Sequence, residues 1–244
     1  MSTPELPTPC AECGYELRGL PSEGMCPECG ASIAASLARR SLGLAAPHYV
    51  RSLRTGTDLT LWALALFGVA GLARTYLGHA QGFAAVGIGI DCVAAGLLLA
   101  GTWMLTPDDP GLHPQDQARP NKRAMRAGAV GILATALLLF ILILSRSAGR
   151  SHTSLFPDFS AIFEVAFWLV WATGMANYTR WIAVRVPDNA LYNTGRRTGR
   201  ALPWTIAVWF MISFLFGAAP RVLPMALLFW LSWRVRDRIG RSHV

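Results

Sequence analysis

From Leu59 onward, long apolar runs alternate with short polar segments dense in arginine. A helix rises 1.5 Å per residue, so crossing ~30 Å of hydrocarbon takes about 20 apolar residues, within a range of about 17–25. Five stretches predict such helices: 59–78, 83–105, 127–145, 161–184 and 201–218. A sixth, 222–237, is short and ends in SWRVRDR, where arginines can snorkel to the interface. Pro220 and Pro224 stand where a helix begins and suit a tight turn between the last two spans. The pattern predicts an all-α polytopic membrane protein of six transmembrane helices in three hairpins, filling 59–244. Ahead of it, residues 1–33 form a polar module of their own. Residues 34–58 carry Arg39, Arg40, Arg51 and Arg54 with Pro47 interrupting, and read as a basic juxtamembrane linker with room for a short surface helix.

Composition agrees with this pattern. Hydrophobic residues make up 53% of the 244 and charged residues 15%, where a soluble domain carries about 25% charged. A soluble enzyme, a disordered tail and a secreted disulfide scaffold are thereby excluded. A net charge of +8 with a pI of 9.8 would suit a nucleic-acid partner, but the positions of the charges give another account. With the N-terminus in the cytoplasm, 17 of the 22 basic residues fall on the inner side. Only Arg146, Arg150 and Arg221 fall outside, and Arg74 and Arg180 lie within helices. This is the asymmetry of the positive-inside rule. A five-helix count would export Arg234, Arg236, Arg238 and Arg241 against it. Trp62, Trp103, Trp181, Trp204, Trp230 and Trp233 also fall near predicted inner ends, where indoles favour the headgroup level. The first 58 residues contain no apolar stretch of the secretory-signal kind. The expected location is the cell inner membrane, with both termini cytoplasmic. The inner loop 187–200, PDNALYNTGRRTGR, with turn glycines and arginines, is expected to meet anionic lipid headgroups.

The chemistry that stands out is in the N-terminal module. Cys10, Cys13, Cys26 and Cys29 form C-x2-C-x12-C-x2-C. Two such turns can each offer two thiolates to one tetrahedral ion. Gly14 and Gly30 follow the two pairs and tolerate positive φ, while Gly19, Gly24 and Pro21 mark the intervening chain as turns. About thirty residues bury too little core to fold unaided, so a metal staple is expected on size alone. Disulfides would require an oxidising compartment, which the topology denies, and a redox motif needs one pair in a βαβ setting. Structural zinc fits best, and iron satisfies the same donor set. The strings CGYELRGLP and CPECG resemble the short N-terminal zinc ribbon of uncharacterised bacterial membrane proteins, over roughly residues 8–33. The resemblance implies a small zinc β-ribbon ligated by the four cysteines, and no activity.

Within 1–30 the charges are Glu5, Glu12, Glu16, Glu23 and Glu28 against Arg18 alone, and a zinc ion in four thiolates adds to that negative charge. Such a surface repels phosphate backbones, so no nucleic-acid partner is expected. Tyr15, Leu17 and Leu20 are either the module's miniature core or a face for a protein partner. In the membrane region Arg74, Asp91, Glu164 and His79 are predicted near the outer half of the bundle. They read either as an outward-facing pocket for an ion or small solute, or as a structural pair pinning the first two spans. Arg180 is expected to snorkel. Small residues of the second span, such as Ala85/Gly89 and Gly96/Ala100, allow close helix approach. The connector holding Asp108, Asp109, His113 and Asp116 reads as a solvated Pro-rich loop. With no catalytic signature, the expected role is docking or assembly through the metal module, and the alternative is a transporter using the polar cluster.

Overall fold

A computed structural model describes residues 8–42, 45–77, 81–109, 118–147, 156–186, 188–216 and 222–241. Seven helices account for most of them: α1 (Ile33–Arg40), α2 (Pro47–Leu77), α3 (Gln81–Leu105), α4 (Arg119–Ser147), α5 (Phe156–Arg185), α6 (Asn189–Phe216) and α7 (Val222–Arg241). Among the described residues there is no β-strand. The expected ribbon is reduced to two isolated antiparallel bridges, Pro9 with Glu16 and Met25 with Ser32.

Three segments are long and apolar enough to cross a membrane: Pro47–Ala73, Val86–Leu105 and Arg119–Ser145. The six long helices pack as a ring in chain order, each against its sequence neighbours, and α7 closes on α2. Trp171, Tyr178, Leu53, Leu64 and Leu98 fill the interior. Trp62, Val93, Ile141, Phe163, Trp204 and Trp233 are exposed on the outer faces of the six helices. A rim this apolar around a filled core is what a bilayer-facing surface looks like.

Helices α2, α4 and α6 begin well before the predicted spans. At 31 residues, α2 is about 46 Å long, well beyond the hydrocarbon thickness. Pro47 starts this helix instead of interrupting the linker: in the first turn its missing N–H costs nothing and its φ is already helical. Tyr49 and Val50 bond back to the Ala46 carbonyl. The segment 187–200, expected as a loop, is likewise helical from Asn189. Asp188 caps it, Oδ1 accepting from the Leu191 amide at 2.9 Å. Gly195 and Gly199 therefore lie inside α6 and not in turns.

Lipid is as apolar as leucine, so helices in it are held by close contact and hydrogen bonds more than by hydrophobic burial. The close approach between α2 and α3 is at Gly56 and Gly101. A Cβ on Gly56 would lie 2.6 Å from the Leu105 nitrogen, and one on Gly101 2.8 Å from Thr60 Oγ1. Gly89 and Gly96, expected to serve this purpose, face open space. Gly128 does the same for α4 against α5, where a Cβ would sit 2.7 Å from the Trp171 backbone nitrogen.

Candidate metal centre

Two nearly equivalent knuckles build the N-terminal module. In the first, the Cys10 amide donates to the Tyr15 carbonyl (2.7 Å), the Gly14 amide to Cys10 (3.1 Å) and the Leu17 amide to Thr8 (2.8 Å). The second repeats these bonds with Cys26 to Ala31 (2.8 Å), Gly30 to Cys26 (2.9 Å) and Ile33 to Gly24 (3.0 Å). Gly14 and Gly30 adopt φ of 80° and 69°, the left-handed region that the turn requires. Leu17 and Ile33 occupy matching positions and form the module's small core with Cys10 and Cys26. The signal for this duplication is in the sequence, in CAECG and CPECG.

The knuckles bring Cys10, Cys13, Cys26 and Cys29 to one point. Their sulfurs all lie within 4.8 Å of one another. Cys10 and Cys29 are 3.7 Å apart, and Cys13 and Cys26 3.6 Å. A disulfide needs about 2.05 Å. Four sulfurs at ~2.3 Å from a tetrahedral ion stand roughly 3.8 Å apart, so the observed edges fit a metal site of four thiolates.

Protonation supports the same chemistry. Burial raises the Cys10 thiol, but the amides of Cys13 and Glu12, the Ser36 hydroxyl and the Cys29 thiol outweigh it and bring it down to about 6. At Cys13 the Tyr15 amide lowers the value, yet desolvation and the three neighbouring sulfurs carry it up to about 12. Cys29 is also raised: its Ala31 amide and Cys13 contacts favour the thiolate, but desolvation, Cys10 and Cys26 prevail. One negative charge in this cluster suppresses the next, and a cation in its midst reverses that.

Helix α1 belongs to this module and not to a linker. Ser32 caps it through the Ala35 amide (3.3 Å). Ile33 and Leu37 pack on the knuckles, and buried Ser36 reaches the Cys10 sulfur at 3.8 Å. Leu17 is buried and Leu20 partly so, as the miniature-core reading expected, whereas Tyr15 and Met25 are exposed.

The predicted outer cluster is less developed. Asp91 is buried within the bundle and Glu164 half-buried, and neither lacks an interaction. The Arg74 side chain and His79 lie outside the described residues, as do His113 and Asp116.

The polar hub that sequence reasoning missed lies where α3 ends. The last carbonyls of a helix have no partner within it. Ser52 of α2 donates to the Met104 carbonyl (2.9 Å), Tyr178 of α5 to Leu105 (2.6 Å), and Arg126 and Lys122 of α4 to Thr106 and Pro107 (2.6 Å each). The two cations also oppose the negative end of the helix dipole. Beside them Asp109, expected in a solvated loop, is buried against Arg185 at 2.6 Å, their side chains 1% and 4% exposed. Arg185 further stacks on Trp181 and Tyr49, its guanidinium 5.2 Å and 5.6 Å from the ring centroids. Asp188 pairs with Arg238 of α7 at 2.7 Å, and Asp58 of α2 with Arg236. These bonds gather one end of each of the six long helices at the same end of the bundle.

Compared with known proteins, the chain matches no family model, no curated protein and no solved structure.

Proposed function

We propose that this protein is a six-span inner-membrane protein whose cytoplasmic four-cysteine module binds structural zinc and docks a partner protein at the membrane. The carrying observation is the preorganised sulfur quartet in a module with its own core, outside the apolar helices. Zinc suits it because a d10 ion takes four thiolates tetrahedrally, with neither redox chemistry nor an open coordination position. The centre then stabilises the fold of the module, leaving its surface as the functional part. That surface offers Met25, 73% exposed, and Tyr15 among Glu12, Glu16, Glu23 and Glu28. Exposed apolar side chains on an acidic module suit a partner with an apolar patch and basic rim.

Six spans are supported by the lengths of α5, α6 and α7, at 30, 28 and 20 residues, and by their exposed Phe163, Trp204, Val208 and Trp233. The meeting of all inner helix ends supports a single cytoplasmic side. The test is in-cell crosslinking from a photoreactive residue at Met25, comparing wild type with Tyr15→Ala and Cys26→Ser. A discrete adduct lost in both variants supports docking; the same adducts in all three count against it.

A transport reading has one observation in its favour, the burial of Asp91 at membrane depth. Solute flux in proteoliposomes that disappears in Asp91→Asn would promote it over docking.

A further inference from the structure

Near the inner end of the bundle, α5 and α6 part around a cleft of ≈ 470 Å³, and three of its lining residues are Arg180, Arg196 and Arg200. Tyr192, Gly195 and Gly199 complete much of the wall, and no acidic residue lines it among the described residues. We propose that this cleft is a binding site for a phosphate monoester, met as the headgroup of an anionic phospholipid or as a soluble phosphate.

The site is built by packing. Gly195 lets Arg180 lie along α6: a Cβ there would stand 2.9 Å from Arg180 Cγ. Arg180 therefore crosses to α6 instead of snorkelling. It donates to Tyr192 Oη at 3.2 Å and stacks over that ring, 5.2 Å from its centroid. Its Nε is buried with no acceptor among the described residues. Arg196 and Arg200 lie one helical turn apart on α6 and reach the same cleft with exposed side chains. The nearest chain acid toward the start of α6, Asp188, is already engaged by Arg238 and the Leu191 amide.

Three guanidinium groups around one cavity repel one another, and an oxyanion relieves the repulsion while accepting their forked donors. A phosphate monoester carries about −1.5 to −2 charge at pH 7, against about −1 for a diester, and so gains more from three cations. The level is also right for a lipid. Arg180 is about 7.5 Å from the inner end of α5, and Trp204, 75% exposed, stands one turn beyond Arg200. Basic pockets between helices on the cytoplasmic side are where anionic headgroups are held. The inference does not depend on the metal module or its partner.

The test uses full-length protein in nanodiscs of phosphatidylcholine doped with phosphatidic acid or phosphatidylglycerol, with lipid retention read by native mass spectrometry. Phosphatidic acid should be retained in preference to phosphatidylglycerol. Its affinity should fall at least about tenfold in the Arg196→Gln/Arg200→Gln double variant and stay within about twofold of wild type in Arg197→Gln, whose exposed side chain does not line the cleft. A second arm titrates glycerol 3-phosphate and inorganic phosphate into protein in neutral detergent. Saturable binding there, lost in the same double variant, supports the site and assigns it to soluble phosphates. Equal losses in Arg197→Gln, or retention of phosphatidic acid no better than of phosphatidylcholine with no soluble binding, overturn the proposal.

Discussion

Replacing Asp109 with Asn removes one charge from a pair whose partner has no access to water. Arg185 stays 4% exposed, and its counter-ion was 2.6 Å away. Breaking a buried pair from one side costs roughly 3–5 kcal/mol, because the remaining charge keeps its desolvation penalty. Part of that is recovered here. The Trp181 and Tyr49 rings still face the guanidinium, each worth about 0.5–1 kcal/mol or more when desolvated, and Tyr49 Oη stands 3.4 Å from it. The expected net loss is ~2–4 kcal/mol. At about 2–4 °C per kcal/mol for a chain of this size, Tm falls on the order of 10 °C. Tryptophan fluorescence during heating of detergent-purified protein reads it directly, since Trp181 lies in the hub. Asp237→Asn is the control: Asp237 and its partner Arg241 are 40% and 69% exposed, so its loss costs under about 1 kcal/mol. Asp109→Leu combined with Arg185→Met should be less destabilising than Asp109→Asn alone. A Tm for Asp109→Asn within about 2 °C of wild type, or equal to that of Asp237→Asn, would refute the buried-pair reasoning.

Other consequences can be checked separately. Purified protein should carry about one zinc per chain by elemental analysis, and Cys26→Ser should lose it and expose residues 8–40 to protease while the bundle stays helical; full protection without metal would argue against a metal-held module. Because Cys13 is raised to about 12 and Cys29 is also raised, both are protonated near neutral pH in the metal-free cluster. Zinc uptake there should then release at least about two protons, and apparent affinity should weaken as pH falls, as proton-release titration in dilute buffer would measure. Gly56→Leu, whose Cβ meets α3 backbone at 2.6 Å, should destabilise by at least about 1–3 kcal/mol, whereas Gly96→Ala, with open space around it, should be neutral or better in the same thermal assay. A reporter fused after Val244 should be active only in the cytoplasm; periplasmic activity would remove the six-span topology.

How much of this is legible beforehand differs from feature to feature. The cysteine quartet is readable because two C-x-x-C turns fix their sulfurs locally, whatever the rest of the chain does. Its duplicated knuckle is equally visible in CAECG and CPECG, but the membership of α1 is not: Ser36 comes to Cys10 only once Ile33 packs into the small core. In the apolar region, the long helices are readable as apolar runs, three of them long and apolar enough to cross a membrane, but their helical extensions are not. Outside the hydrocarbon, water satisfies a backbone as well as a helix does, so hydropathy carries no signal there, and Pro47 and the 187–200 segment look like breaks.

What the sequence determined by itself is therefore what depends on transfer from water or on near neighbours: the apolar lengths and the four thiols. Tertiary structure alone decided which polar residues are buried. Asp109 and Arg185 look like ordinary loop charges until the ends of α3 and α5 meet, and Arg180, Arg196 and Arg200 form a pocket only because Gly195 lets two helices close around them. Electrostatics depends on distance and dielectric, and both are set by packing between segments far apart in the chain.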